Sequence, residues 1–193
     1  MPITPPSQNG SALRPLYVGE RHVLERGQYL YQPTDRQDTL YVVERGVLKV
    51  GSYSPRGKEV TYDVLTRGEL VGNLQYLPDN TFSEFARALT SVLVVLHPVR
   101  TFKKLVQQDV HLANEFHQMI IRRWCRAETR LFHIASLTPT QRVTKLLKQY
   151  PSPITDAEGH THSVRNLLTQ QDIANLCGLT RQTTARILRE TLI

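Results

Sequence analysis

The sequence is poor in cysteine, in long apolar runs and in net acid. Its 193 residues include two cysteines, Cys125 and Cys177. Two thiols so far apart build neither a disulfide framework nor a four-ligand zinc or iron–sulfur site within one chain. The longest aliphatic run, Val92 to Leu96, is far short of the roughly 18 residues that a membrane span needs. The first ten residues lack the basic cluster and apolar stretch of a secretory signal. These absences read as a reduced, soluble, cytoplasmic protein with no membrane segment and no cofactor. Hydrophobic residues make up 40% of the chain and charged residues 21%, which excludes wholesale disorder. At about 100–200 residues per domain, the length fits one large domain or two small ones.

The charge is uneven. The formal net charge is +7. Residues 1–96 hold ten basic and ten acidic side chains, residues 97–137 seven and three, and residues 138–193 seven and four. A neutral half joined to a basic half suggests that the basic half meets a polyanion.

The organisation follows from the periodicity. Residues 1–18, rich in Pro, Ser and Gln, read as a flexible arm. Residues 19–110 read mainly as short strands punctuated by Gly27, Gly46, Gly57, Gly68 and Gly72, which predicts an antiparallel sandwich or roll. Ala86 to Leu96 reads as one strand, stopped by His97-Pro98. Phe102, Leu105 and Val106 then have helical spacing. Residues 111–136 contain no Pro or Gly and read as one long helix with the stripe Leu112, Phe116, Met119, Ile120, Ala127, Leu131 and Ile134. So long a stripe needs a partner surface, either the chain's own strands or a second copy. A two-fold dimer through this helix is the economical choice. Arg122, Arg123, Arg126 and Arg130 read as a solvated face. Thr138-Pro139 restarts a helix, and Tyr150 to Val164 reads as a loop with room for two short strands.

Residues 168–189 carry the functional signal. Thr169 caps a short helix whose inner face is Ile173 and Leu176. Ala174 is small where two helices cross, and Gly178 supplies a turn with positive φ. Thr180 caps a second helix that packs inward through Thr184, Ile187 and Leu188. Arg181, Gln182, Ala185, Arg186 and Arg189 are left facing outward. Long basic and amide side chains at the start of such a helix suit base edges in the major groove. The DNA-facing set is Thr169, Gln170, Thr180, Arg181, Gln182, Thr183 and Arg186. Cys177 reads as a buried apolar residue and Cys125 as a free thiol. His160 and His162 read as solvated.

Roll, long helix and helix-turn-helix, in that order, resemble the cyclic-AMP receptor protein and fumarate–nitrate regulator (CRP/FNR) family of bacterial transcription factors. The resemblance runs from about Gly19 to the end of the chain. Its strongest part is Leu168 to Leu188. Leu40 to Gly46 resembles a family hairpin, and Gly68-Glu69-Leu70-Val71-Gly72 the turn that opens the family's effector cassette. The resemblance implies an α+β fold with an antiparallel β-roll like a cyclic-nucleotide-binding domain, a long dimerisation helix (111–136) and a helix-turn-helix domain (137–193). It further implies a homodimer on double-stranded DNA that works with RNA polymerase.

Three departures qualify the resemblance. Family members that bind cyclic nucleotides carry Gly-Glu-Leu and then Arg-Ser-Ala or Arg-Thr-Ala, the arginine meeting the cyclic phosphate. Here the pocket positions are Gly72-Asn73-Leu74 and Glu84-Phe85-Ala86. A carboxylate at residue 84 would face the phosphate, and two like charges about 4 Å apart repel by roughly 4 kcal/mol at an effective dielectric of 20. The expectation is therefore an unknown small-molecule effector other than cyclic AMP, or an empty pocket. The cysteines are too few for the iron–sulfur cluster of the fumarate–nitrate branch. Finally, the resemblance implies a winged-helix hairpin after the recognition helix, and this sequence stops at Ile193 before one, as a natural truncation or a shortened chain would. A cupin enzyme is the rival from another class, but residues 21–97 offer only His22 and His97 as imidazole ligands. An interaction module that has lost DNA binding is the third reading.

Overall fold

The structure, a computed structural model, describes residues 14–33, 35, 38–75, 83–150 and 153–191. Most of the predicted arm, residues 1–13, lies outside the described residues. Its end is not loose. Residues Arg14–Tyr17 form a 3-10 turn, Leu16 is 1% exposed, and its carbonyl meets His97 Nε2 at 2.9 Å.

Two four-stranded antiparallel sheets form the roll. The strands are β1 (Arg21–Leu24), β2 (Tyr29–Tyr31), β3 (Thr39–Arg45), β4 (Leu48–Tyr53), β5 (Glu59–Leu65), β6 (Leu70–Val71), β7 (Phe85–Ala88) and β8 (Val92–Pro98). One sheet has the order β1-β8-β3-β6 and the other β2-β7-β4-β5. Side chains one residue apart point to opposite faces, so Leu24, Val43, Leu48, Val50, Leu65, Val92 and Val94 meet between the sheets. The single strand expected over residues 86–96 is two. The chain leaves one sheet at Ala88 and joins the other at Val92. The crossing is fixed by the Thr90 hydroxyl, which accepts from Val47 N and donates to Ser91 O. Gly46 (φ 87°) fits there because a Cβ would lie 2.5 Å from Ser91 O.

The helices follow. Asp109 separates α1 (Val99–Gln108) from α2 (Val110–Ser136) and caps the latter by accepting from His111 N and Leu112 N. The long helix thus has 27 residues and starts one residue earlier than the sequence suggests. Leu112 and Phe116 pack with Leu16, Leu40, Val99 and Phe102 in a second core. No helix among the described residues is long and apolar enough to cross a membrane.

After Leu137, Thr138 and Gln141 form a reciprocal capping box that starts α3 (Pro139–Gln149). The expected pair of short strands is present as β9 (Ile154–Thr155) and β10 (Thr161–His162). Next come α4 (Val164–Leu167), α5 (Gln170–Cys177) and α6 (Arg181–Thr191). Their core joins Val143, Leu146, Ile173, Leu176 and Ile187 to Val47, Val64 and Leu89 of the roll. The C-terminal helices therefore dock on the second sheet.

Candidate nucleic-acid interface

The helix-turn-helix is built by local chemistry. Thr169 and Asp172 cap each other's backbone N–H at the start of α5, at 3.1 Å in both directions. Gly178 ends α5 in the left-handed region (φ 62°, ψ 44°). Thr180 Oγ1 accepts from Thr183 N at 3.1 Å and starts α6. Ala174 and Thr184 are fully buried where α5 and α6 cross, and Ile187 and Cys177 are buried beside them. Burial pushes the Cys177 thiol up to about 11, which suits an inert core residue. Gln170, Arg181, Gln182, Arg186 and Arg189 are exposed on the outer face, and Thr183 is half-buried. The exposed Arg186 and Glu190 approach to 3.5 Å, a surface pair that contributes about 0–1 kcal/mol and leaves the arginine available.

The sequence did not reveal what anchors this unit. Lys49 Nζ of β4 meets Asp172 Oδ1 at 2.9 Å, and Thr61 Oγ1 of β5 donates to the same oxygen at 2.7 Å. Asn175 Nδ2 reaches Glu59 O at 3.4 Å. Burial alone would raise the Asp172 carboxyl. Hydrogen bonds from Thr169, Lys49 and Thr61 outweigh that and hold it below the usual carboxylate range. The β9–β10 hairpin adds backbone bonds, Gly46 N to Thr155 O and Ala157 N to Ser91 O. Within that hairpin His162 is not simply solvated, since its Nε2 meets Asp156 Oδ2 at 2.7 Å; the His160 side chain remains 70% exposed.

Arg123, Arg126 and Arg130 are not a solvated face. Arg123 reaches Glu84 at 3.3 Å and Asp63 at 3.5 Å. Arg126 reaches Asp63 at 3.4 Å and also pairs with Glu69, and Arg130 reaches Asp63 at 3.2 Å. Spacings of three and four place residues 123, 126 and 130 on one helix face. That spacing was visible in the sequence, but the carboxylates opposite lie 39 to 67 positions away.

The predicted dimer stripe also divides. Leu112 and Phe116 are buried against the chain's own roll and cannot serve a second copy. Met119 is half-buried, with its sulfur 3.3 Å from Leu70 N, and Ile134 packs over Gly178. Ile120, Ala127 and Leu131 are exposed, joined by Ile121, Trp124 and Phe132. The sequence stripe merged two neighbouring faces because its residues spread over roughly a third of the helix circumference, wider than one contact seam.

The six predicted pocket residues do not share one concave surface. Gly72 (φ 118°) crosses close over Thr39 O, and Asn73 Oδ1 accepts from Gln75 N at 2.8 Å. Leu74 instead lines an open apolar cleft of about 280 Å³ with Phe116, His117, Ile120 and Ile121. Phe85 points the other way, against Gly51, Tyr29 and Tyr53, and Ala86 lies in the roll's core. Glu84 is not a bare carboxylate. Its oxygens accept from Tyr31 OH at 2.5 Å, Tyr62 OH at 2.6 Å and Arg123. The carboxylate that the sequence sets against a ligand phosphate is thus engaged in an internal ion pair with Arg123.

Comparison with known proteins agrees with this geometry. The profile described as cyclic nucleotide-binding domain matches residues 21–109, and that described as bacterial regulatory proteins, crp family, matches residues 167–190. The chain is 24% identical over 165 residues to a CRP-like cAMP-activated global transcriptional regulator of Mycobacterium tuberculosis, covering 86% of this chain and 74% of that protein. It is 26% identical over 157 residues to the cAMP-activated global transcriptional regulator CRP of Salmonella typhimurium, covering 80% and 74%. Among solved structures, the c-di-GMP-responsive global regulator CLP of Xanthomonas campestris superposes with a TM-score of 0.73 at 19% identity, covering 95% of this chain and 91% of that one. Since the two profiles fall on the roll and the helix-turn-helix, and these relatives are regulators, the chain belongs to the CRP/FNR family of DNA-binding transcription regulators and is not an enzyme.

Proposed function

We propose that the protein acts as a homodimer on an inverted-repeat operator, with α6 in the major groove. The observation that carries this reading is the pairing of two exposed surfaces. One is the outer face of α6, with Arg181, Gln182 and Arg186. The other is the apolar face of α2, with Ile121, Trp124 and Leu131. A two-fold dimer through α2 presents two copies of α6 to half-sites about one helical turn apart. The family pattern holds Arg, Glu and Arg where this chain has Arg181, Gln182 and Arg186. The two arginines suit guanine O6 and N7 or a nearby phosphate. Gln182 both donates and accepts, so its best bidentate partner is adenine N6 and N7. Thr169, Gln170, Thr180 and Thr183 lie at the two helix starts, where hydroxyl, amide and free N–H groups suit phosphates.

Cyclic AMP is not the effector in this reading. The position where the family pattern holds a cation is Glu84, and that carboxylate is already bonded within the chain. RNA polymerase is the partner that a family regulator of this design would meet on DNA. Binding-site selection followed by sequencing tests the reading. The expected result is a two-fold motif with half-site centres about one helical turn apart. No enriched motif, or a single unrepeated half-site, would overturn it.

A further inference from the structure

Resting on the operator reading above, the contacts between the roll and α2 go further. Glu84 is 7% exposed, yet each of its oxygens is satisfied. Oε1 accepts from Tyr31 of β2; Oε2 accepts from Tyr62 of β5 and from Arg123 of α2. Burial, with the Glu84 charge close by, raises both phenols above their ordinary value, so both stay protonated donors. Arg123, Arg126 and Arg130 of the helix face Glu84, Asp63 and Glu69 of the roll, so three cations meet three anions. Among the described residues, each of these three arginines is already paired with a carboxylate.

The network also reaches the DNA-binding unit. On β5, Asp63 holds the arginines of α2, while Thr61 holds Asp172 of α5. One short strand therefore fixes both the long helix and the first helix of the helix-turn-helix. Arg142 of α3 adds a tie between the two, donating to Leu137 O at 2.9 Å and to Cys177 O at 3.3 Å.

We propose that Glu84 and Arg123 are a built-in clamp between roll and long helix, taking the place of an anionic effector, so that the protein binds its operator without a nucleotide. The carboxylate supplies from within the chain the negative charge that would otherwise come from a ligand phosphate. Removing either partner leaves a buried charge short of a bond, which costs more than the pair itself contributes.

The test uses the full chain, checked by mass spectrometry to carry no small molecule, and the selected operator. Affinity is read by fluorescence anisotropy with no addition and with millimolar cyclic AMP, cyclic GMP or cyclic di-GMP. The clamp predicts tight binding with no addition and no gain from any nucleotide. Glu84→Gln and Arg123→Gln should each weaken operator binding about ten-fold, as when the competent state falls to about one-tenth. The double variant should be no weaker than the worse single, because the two residues act as a unit. Hydrogen exchange should rise over residues 119–130 in each single variant. If Arg123→Gln fails to fold, Glu84→Gln keeps the phenol hydrogen bonds and carries the test. Tight binding that appears only with an added nucleotide would overturn the clamp and leave the operator reading intact. Additive losses in the double variant, or wild-type affinity in both singles, would overturn it too. An absence of sequence-specific DNA binding under every addition would overturn the operator reading itself.

Discussion

Leu131→Asp places a carboxylate on the exposed apolar face of α2. Leu131 is 67% exposed in the single chain, with Trp124 at 63%, Phe132 at 65% and Ile121 at 53%. Fully burying a leucine side chain is worth about 1.5–3 kcal/mol, so closing the exposed fraction is worth about 1–2 kcal/mol per copy. A two-fold interface contains the residue twice, which makes the loss about 2–4 kcal/mol before the added cost of two carboxylates near an apolar seam. The dimer dissociation constant should rise at least about 30-fold, and up to about a thousand-fold. Sedimentation equilibrium reads this directly. Val110→Asp is the control, because Val110 is 80% exposed on the same helix but lies at its capped start, where an acid is tolerated. Met119 is a poor probe, since its sulfur already contacts the roll. An unchanged dimer in Leu131→Asp together with Trp124→Asp would refute the reasoning and move the contact off this face.

Other outcomes follow from the same contacts. Arg181→Ala should cost roughly 1–3 kcal/mol at the operator and relax preference at one symmetric pair of positions. Equal weakening on all sequences, with a smaller salt slope, would show a phosphate contact instead. Gln182→Glu should move preference from adenine toward cytosine at its own base pair, read by repeating the selection; an identical motif would mean that residue 182 reads no base. Asp172 has a lowered carboxyl, so its stabilising contribution is complete above the unfolded value and is lost as pH falls through the folded one. Asp172→Asn should therefore lower the melting temperature at neutral pH and reduce its dependence on pH below about 4, the unfolded carboxylate value. Gly178→Ala puts a side chain at φ 62°, with its Cβ 3.2 Å from Ile134, and should cost about 1–2 kcal/mol in a denaturation curve. Isothermal calorimetry should show no micromolar binding of cyclic AMP.

What the sequence determined by itself is what short-range chemistry decides. The capping boxes at Thr138 and Thr169, the positive φ at Gly178 and the Thr180 cap involve partners three or four residues away. A reader of the chain sees both partners of each at once. The same holds for the order of strand-period and helix-period segments, and so for the roll, the long helix and the helix-turn-helix. The outward positions of Arg181, Gln182 and Arg186 follow from the inward ones on a short helix. Only the tertiary structure decided which way the long helix faces. Its apolar residues cover more than one face, so periodicity could not tell Leu112, buried against the roll, from Leu131, open to solvent. The roles of Arg123, Arg126 and Arg130 were likewise hidden, because a cation reads as solvated until the carboxylates opposite it are known. Glu84 is the sharpest case. In the sequence it is a charge in the wrong place for a phosphate; in the fold it is the meeting point of Tyr31, Tyr62 and Arg123. Those partners come from two strands and a helix up to 53 residues apart in sequence, and only the folding of the whole chain sets their distance.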